Sequence, residues 1–347
     1  MQIIEDQLSF DDVLLIPQYS EIKSRGDVNT STRFVEDKEI QIPIVSANMD
    51  TITGVNMANV MHDSGAIGIL TRHGYMSEED HIASINKLTF GSFCIGVQER
   101  DREFLHALDA NSALTFKSVI TVDVAHADSK NALDMIKYIK KTYPFLKVIA
   151  GNIATAEAAR RLANEGVDGI KVGIGPGSMC TTRIVTGCGF PQLSAVANVR
   201  AKLNGEEFKH VTIMADGGIR NSGDIIKALA AGADTVMIGS LLSGAVETPG
   251  EIYRNQRGHA YKVFRGQASY EAQRDNALDK KEHYAEGVYK EVPYTHRTAA
   301  DIIDELMRGV RSGMSYCGAG NLASLRKKAR FVRVTPATVQ ENGAHGL

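Results

Sequence analysis

A glycine-rich loop that contains one cysteine is the clearest chemical signal in the sequence. Residues 173–183 read Gly-Ile-Gly-Pro-Gly-Ser-Met-Cys-Thr-Thr-Arg and follow the apolar run 169–172. Glycine lets a backbone approach a ligand closely, so Cys180 is a candidate nucleophile. The alternative is a buried thiol after a tight turn, because free cysteine is among the most buried residue types.

Two further loops predict a phosphate site and a ribose site. Asp216-Gly217-Gly218 and Gly239-Ser240 each follow an apolar run. Backbone N–H groups and a hydroxyl at such positions can hold a phosphate, and a carboxylate beside them can accept hydrogen bonds from ribose hydroxyls. These residues therefore favour a nucleotide, although turn glycines and a helix-capping aspartate, a role that Asp224 could also fill, remain alternatives.

The elements that must position these loops alternate between strand and helix patterns. Strands are predicted at residues 42–47, 66–70, 92–97, 118–123, 147–150, 169–172, 212–215 and 235–238. Helices are predicted at 130–142, 154–165 and 221–230, the last with Asn221 as N-cap. Eight strands in this alternation favour a closed (β/α)8 TIM barrel over an open doubly wound sheet, and no Gly-x-Gly-x-x-Gly follows the first strand. The chemical loops then lie at the carboxyl ends of the strands, where barrel active sites lie.

Composition limits the classes of function. The 347 residues carry a formal net charge of −2, which gives no support to nucleic-acid or membrane-surface binding. No apolar run reaches membrane-spanning length and the first residues are charged, so we expect a cytoplasmic protein. The cysteines other than Cys180, which are Cys94, Cys188 and Cys317, are interpreted as structural. Without Cys-x-x-Cys or His-Glu-x-x-His, zinc and disulfides are not expected.

Four motifs together resemble the IMP dehydrogenase and GMP reductase family. They are the Cys180 loop, Ser-Ala-Asn-Met-Asp-Thr at 46–51, Ala-Asp-Gly-Gly-Ile-Arg at 215–220 and Met-Ile-Gly-Ser at 237–240. The resemblance extends from residues 10–15 to residues 330–335. It implies one barrel domain over 1–347, with a mobile active-site flap at about 265–295 and a C-terminal tail at about 330–347.

The resemblance also implies a mechanism. Cys180 would attack C2 of a 6-oxopurine nucleotide and form a covalent thioimidate. In a GMP reductase the 2-amino group leaves as ammonia and a hydride from NADPH gives IMP. In an IMP dehydrogenase hydride passes to NAD and water then releases xanthosine monophosphate. Thr182 matches the family threonine that handles the leaving group or the water, and Glu286 matches the glutamate that contacts the purine edge and helps protonate ammonia.

Three sequence features favour the reductase over the dehydrogenase. After the second strand, residues 72–80 continue directly to the third strand, which leaves no room for the CBS modules typical of dehydrogenases. The flap residues 269–286 contain no adjacent Arg-Tyr pair, which dehydrogenases use to activate water. The loops at 47–51 and 123–126 are closer to those of reductases. The expected activity is therefore NADPH-dependent conversion of GMP to IMP, with a CBS-less, NAD-dependent IMP dehydrogenase as the alternative.

Further site residues are implied by the match to the family. The substrate residues are Ala47, Met49, Ser178, Asp216, Gly218, Gly239, Ser240 and Gly266, and the cofactor residues are Asp123, Arg72 and Asn152. Asp123 would lie near the nicotinamide ribose. The backbone carbonyls of Gly175, Gly177 and Cys180 would bind potassium, and the family forms homotetramers.

Two features differ from the pattern of GMP reductases, and two other classes of function remain as alternatives. Animal reductases have arginine and serine at the positions of His283 and Ala285. Residues 339–346 resemble the tail of bacterial dehydrogenases, which completes a potassium site of the neighbouring subunit. A flavin-dependent barrel oxidoreductase would use the same phosphate loops without needing Cys180, and an inactive nucleotide-binding protein would not need Cys180, Thr182 and Glu286 together.

Overall fold

The computed structural model describes residues 3–276 and 285–342 of the chain. Its strands are, in chain order, β1 (Val13–Leu15), β2 (Thr32–Val35), β3 (Lys38–Ile40), β4 (Ile44–Ser46), β5 (Ile67–Gly68), β6 (Ser92–Ile95), β7 (Val119–Asp123), β8 (Lys147–Ile153), β9 (Gly169–Val172), β10 (Thr212–Asp216), β11 (Thr235–Ile238), β12 (Tyr253–Arg254), β13 (Ala260–Arg265), β14 (Tyr289–Pro293) and β15 (Phe331–Arg333). Its α-helices are α1 (Val55–Asp63), α2 (Glu78–Asn86), α3 (Glu99–Ala110), α4 (Lys130–Thr142), α5 (Ala156–Asn164), α6 (Thr182–Thr186), α7 (Gln192–Lys202), α8 (Ser222–Ala231), α9 (Tyr270–Asn276), α10 (Ala299–Tyr316), α11 (Leu322–Lys328) and α12 (Pro336–Glu341).

Strands β4 to β11 form one parallel eight-stranded sheet in the order β5-β4-β11-β10-β9-β8-β7-β6. The two outer strands meet at Leu70, whose N–H donates to the Ser92 carbonyl at 2.9 Å and whose carbonyl accepts the Cys94 N–H at 3.1 Å. These bonds close the sheet into a barrel, and helices surround it. The predicted (β/α)8 fold is therefore confirmed.

Each of the eight predicted strands is present, with boundaries that differ by a few residues. The third residue of β9, Lys171, is buried with its apolar neighbours Ile170 and Val172, as is typical of a parallel strand covered on both faces. The helix predicted at 130–142 matches α4. Asn221 is the N-cap of α8, because its side chain accepts the Asp224 N–H at 3.0 Å.

Ion pairs occupy the amino ends of the barrel strands, opposite to the predicted site. Asp168, one residue before β9, accepts hydrogen bonds from Lys140 at 2.5 Å and from the Val148 N–H at 2.8 Å. Asp234, one residue before β11, pairs with Arg200 and Arg326. Both carboxylates are buried, so each requires these partners.

The flap segment, residues 265–295, begins and ends in an antiparallel sheet formed by β12, β13 and β14. The buried Lys262 of β13 fastens this sheet to the barrel, since its Nζ donates to the Thr248 carbonyl at 2.6 Å. Outside the barrel, β1 pairs with β15 and thereby joins the two ends of the described chain. Residues 277–284, which include His283, and residues 343–347 lie outside the described residues. Among the helices described, none is long and apolar enough to cross a membrane.

Candidate active site

The Cys180 loop leaves the carboxyl end of β9 through Gly173, where only glycine fits. Gly173 has a φ of +150°, and a Cβ there would lie 2.0 Å from the Asp216 carbonyl oxygen. A side chain is therefore excluded at this position. Further along, the Cys180 N–H donates to the Gly177 carbonyl at 3.1 Å, which curls the loop around the thiol. Cys180 is partly buried.

Three side chains form a continuous hydrogen-bonded relay. The Cys180 Sγ–H donates to Thr182 Oγ1 at 3.1 Å, and the Thr182 hydroxyl donates to Glu286 Oε2 at 2.8 Å. Proton transfer along such a chain can connect a thiol to a carboxylate acceptor, or return a proton from the carboxyl group to the site. The relay joins the three residues to which the sequence assigns catalytic roles.

Glu286 is held in place by backbone hydrogen bonds from both sides. Its carbonyl accepts the Thr181 N–H at 2.8 Å, and its own N–H donates to the Ala268 carbonyl at 2.9 Å. Next to it, the Val288 N–H donates to the Met179 carbonyl at 3.0 Å. Residues 286–288 thus lie between the nucleophile loop and residues 266–269, with an isolated β-bridge on each side of Gly287.

Two glycines permit this close approach. A Cβ on Gly266 would lie 3.0 Å from the Met179 carbonyl oxygen, and a Cβ on Gly287 would lie 3.1 Å from the same atom and 3.2 Å from the Ser269 N. All three distances are too short for an unadjusted side chain. The substrate role predicted for Gly266 is untested, but the structure places Gly266 beside Met179 of the nucleophile loop and beside Gly287.

The predicted phosphate loops lie at the carboxyl ends of β10 and β11. Gly217 and Gly218 have φ values of +90° and +81°, and a Cβ on Gly218 would lie 3.4 Å from the Pro176 side chain. Ser240 begins a single helical turn, Ser240–Leu242. Because Asn221 caps α8, the alternative that Asp216 serves as the helix cap is not supported.

A third group of predicted substrate residues meets beside β4 and β11. A Cβ on Gly239 would lie 3.5 Å from the Ala47 Cβ and 3.5 Å from the Met49 Sδ. Ser178, by contrast, is an exposed residue of the nucleophile loop. All three groups line the same end of the barrel, and the substrate roles of their members stay predictions.

The sequence analysis did not identify Lys171, which links the predicted ribose residues. Its Nζ lies 2.7 Å from Asp123 Oδ1 and 3.0 Å from Asp216 Oδ2, and it also donates to Asn152 Oδ1. Asn152 in turn donates to Asp216 Oδ2 at 2.9 Å and to the Gly173 carbonyl at 2.7 Å. A lysine within an otherwise apolar strand was the available signal, since lysine is almost never buried without a partner.

The electrostatics of this cluster favour its charged forms. Burial alone would raise the pKa of Asp123, but the charges of Lys171 and Arg72 outweigh it and hold that pKa below its ordinary value. Burial alone would lower the pKa of Lys171, but Asp123 and Asp216 outweigh it and raise that pKa above its ordinary value. The ammonium and the Asp123 carboxylate are therefore both ionised at neutral pH.

Arg72 supplies a second cation on the predicted cofactor side. Its buried Nε has no hydrogen-bond partner among the described residues, and a Cβ on Gly96 would lie 3.0 Å from its Nη1. The neighbouring His73 is neutral, because burial and then the charge of Arg72 lower its pKa to about 3. An unpartnered guanidinium atom beside an ionised aspartate suits a polar, anionic ligand such as a dinucleotide.

A second ion pair that the sequence analysis did not identify fixes the start of the flap segment. Arg265 donates to Asp50 Oδ2 from Nε at 3.0 Å and from Nη2 at 2.6 Å, and its Nη1 donates to Asp275 at 2.6 Å. Asp50 follows β4, whereas Asp275 lies on α9. The guanidinium therefore ties the flap segment to the barrel loop that carries Met49.

The remaining cysteines differ in their surroundings. Cys94 and Cys317 are buried, which agrees with a structural role, and burial raises the pKa of Cys94 to about 12. Cys188 is exposed, so burial gives no support to a structural role for it, and that interpretation stays a prediction. In the described part of the chain no group of His, Cys, Asp and Glu side chains could hold a metal ion. A cation at the predicted potassium position would depend on carbonyl oxygens, of which that of Gly177 already accepts one hydrogen bond.

Comparison with known proteins finds the same family over nearly the whole chain. A family model described as the IMP dehydrogenase / GMP reductase domain matches residues 7–345. An inosine-5'-monophosphate dehydrogenase of Aquifex aeolicus is 33% identical, over 99% of this chain and 96% of its own length. A GMP reductase of Leishmania major is 32% identical, over 99% of this chain and 98% of its own length. A crystal structure of a cysteine-to-alanine variant of GMP reductase from Trypanosoma brucei, in complex with guanosine 5'-monophosphate, superposes with a TM-score of 0.87 at 29% identity, covering 99% of this chain and 98% of that one.

Proposed function

This chain belongs to the IMP dehydrogenase / GMP reductase family, and from that premise we propose that it is a GMP reductase. The family consists of oxidoreductases that use nicotinamide cofactors. The proposed reaction is the NADPH-dependent reductive deamination of GMP to IMP and ammonia. Relatives with either activity are equally similar to this chain, so the choice between them depends on the site itself.

The observation that carries the proposal is the relay from Cys180 through Thr182 to Glu286. Attack by the Cys180 sulfur on C2 of GMP requires that the thiol lose its proton, and the relay offers a carboxylate acceptor two hydrogen bonds away. Departure of the 2-amino group as ammonia requires that a proton be returned. The same relay run in reverse can supply it, leaving the purine attached to Cys180 as a thioimidate.

Nucleotide binding is assigned to the loops after β10 and β11. Asp216 projects from the last position of β10 with only Oδ2 engaged by protein partners among the described residues. Its Oδ1 is then available to a ribose hydroxyl. Gly218, Gly239 and Ser240 would hold the phosphate. The Trypanosoma brucei relative was crystallised with guanosine 5'-monophosphate, which supports this nucleotide as the ligand.

The cofactor is assigned to the side of the cleft formed by Asp123 and Arg72. An ionised carboxylate can accept from ribose hydroxyls, and the unpartnered guanidinium atom can donate to an anionic group, so these residues fit a dinucleotide. When bound, NADPH supplies the hydride that replaces the amino group. Asn152 is fully engaged within the cluster, so its part in the proposal is to orient Asp216.

The flap segment supports reductase over dehydrogenase activity. Residues 269–286 contain no arginine followed by tyrosine, the pair expected to activate water. Glu286 is joined to Cys180 through Thr182, and residues 286–288 lie against the nucleophile loop. An intermediate that must await hydride benefits from exclusion of water.

Parallel assays of the purified protein test the proposal. One contains GMP with NADPH, and the other contains IMP with NAD, each with and without potassium. Loss of nicotinamide absorbance with formation of IMP and ammonia is expected in the first. Formation of NADH and xanthosine monophosphate in the second, with no turnover in the first, would overturn the proposal in favour of a dehydrogenase. A yellow protein carrying tightly bound flavin would overturn both.

A further inference from the structure

Lys171 occupies a position between the two predicted ligand sites. It lies on β9, whose neighbours in the sheet are β8 and β10, and its side chain is 3% exposed. Its three N–H groups have three acceptors, on β7, β8 and β10, which are Asp123 at 2.7 Å, Asn152, and Asp216 at 3.0 Å. An ammonium has three donors, so this arrangement satisfies it completely.

We propose that Lys171 is a positioning residue whose single ammonium holds Asp123 ready for the cofactor ribose and Asp216 ready for the nucleotide ribose. This inference rests on the proposed function, because that function assigns one ribose to each carboxylate. Both carboxylates are about one-fifth exposed to the cleft, whereas the ammonium between them is almost completely buried. The cation therefore acts on ligands only through the two carboxylates.

The charges around the cluster show why the ammonium is needed. On the Asp123 side lie the Arg72 guanidinium, the neutral His73, the buried Cys94 thiol and the Asn48 amide. Asp216 faces the Asn152 amide and, among the described residues, pairs with no cation other than Lys171. Without Lys171, two partly buried carboxylates would face each other, and a nearby like charge disfavours the ionised form of a carboxylate.

Removal of the Lys171 ammonium is expected to change the protonation of Asp216. Loss of the ammonium leaves Asp216 as the carboxylate without a cation, so it takes up a proton as the pH falls. A protonated Asp216 loses acceptor capacity toward a ribose hydroxyl. Nucleotide affinity then becomes dependent on pH, an effect that loss of a merely structural ion pair would not produce.

The experiment measures Kd for GMP and for NADPH by calorimetry between pH 6 and pH 9. It compares the wild type with Lys171→Met, which removes the charge, and with Lys171→Arg, which keeps it. Lys140→Met is the matched control, because Lys140 forms a buried ion pair with Asp168 at the opposite end of the barrel. Thermal unfolding of each variant is recorded in parallel.

The wild type, Lys171→Arg and Lys140→Met are expected to bind GMP with an affinity that changes little over this range. In Lys171→Met the Kd for GMP is expected to rise by up to about tenfold as the pH falls and one proton is taken up, the same factor as is expected for loss of the Asp216 charge. A flat profile in Lys171→Met, or the same pH dependence in Lys140→Met, would overturn the inference.

A double variant keeps the test decisive if Lys171→Met does not fold. Lys171→Met with Asp123→Asn removes the ammonium and one of the two facing charges together, so it is expected to fold and to bind GMP without the new pH dependence, while NADPH binding is weakened. Failure of the double variant to fold would show that Lys171 is required for the core, and would overturn the inference. If the wild type turns over only IMP and NAD, the proposed function fails. The Kd comparison is then made with IMP and NAD, because the role of Lys171 depends on the two riboses and not on the direction of the reaction.

Discussion

Replacement of Thr182 by valine tests the relay directly. Valine has nearly the same shape but removes the hydroxyl that accepts the Cys180 thiol at 3.1 Å and donates to Glu286 at 2.8 Å. Positioned proton transfer contributes about 10²- to 10⁴-fold to a rate, and each tenfold corresponds to about 1.4 kcal/mol of barrier. We therefore expect kcat for GMP reduction to fall by that factor, a barrier increase of about 3–5 kcal/mol.

The measurement is steady-state oxidation of NADPH, with GMP affinity determined separately by calorimetry. The Kd for GMP should stay within about threefold, because both partners of the hydroxyl belong to the protein and not to the ligand. Thr186→Val is the matched control, since Thr186 lies one turn further along α6 and its hydroxyl donates to the Thr182 carbonyl at 2.7 Å, outside the relay. A Thr182→Val enzyme with kcat near that of the wild type, or an equal loss in Thr186→Val, would refute the reasoning.

Three further predictions concern the nucleophile, the nucleotide site and acid stability. Cys180→Ser should abolish turnover while calorimetry still detects GMP binding, and turnover at the wild-type rate would exclude Cys180 as the nucleophile. Asp216→Asn should raise the Kd for GMP by about tenfold, or about 1.4 kcal/mol, because a charged acceptor is lost; an unchanged Kd would place the ribose elsewhere. His81 lies between the rings of Tyr75 and Phe104, with centroids 4.0 Å and 4.5 Å away, and burial lowers its pKa from 6.5 to about 4. Since the pKa of His81 is lower in the folded than in the unfolded protein, the neutral imidazole favours folding above about pH 6.5. This contribution to the free energy of unfolding, about 3 kcal/mol in all, is lost as the pH falls toward 4. His81→Phe should remove that part of the acid dependence of Tm, and an unchanged acid dependence would contradict the prediction.

The barrel could be predicted from the sequence because each of its strands is a local pattern. A short run of β-branched and apolar residues such as that at 235–238 is buried along its whole length, and the following glycine marks its end. The smaller sheets were not predicted. β1 pairs with β15, joining Val13 to Arg333, and no local pattern indicates a partner so distant in the chain. The antiparallel strands of the flap segment were missed for a related reason, since the exposed β14 has no apolar face to signal it.

Some residues of the candidate site could likewise be predicted from the local sequence, and others could not. The spacing of Cys180 and Thr182 within one loop was visible in the sequence, whereas Glu286, which is 104 positions from Thr182, was identified only through resemblance to a family. Lys171 was overlooked because its role depends on acceptors from three other strands. Arg265 was overlooked because its partner Asp50 lies 215 positions away. The only local signal for Lys171 was a lysine within an otherwise apolar strand, and the pairing of Arg265 with Asp50 has no local signal.

The position of residues 286–288 against the nucleophile loop has a consequence for how the chain can be redesigned. The backbone of Glu286 is bonded to Thr181 and Ala268, both outside the connection between Asn276 and Ala285, so that connection can be exchanged or lengthened while these two partners are kept. The relay from Cys180 to Glu286 can therefore be retained while the connecting segment is varied. Introducing the Arg-Tyr pair of a dehydrogenase into this connection is then a direct experiment on what distinguishes the two activities of the family.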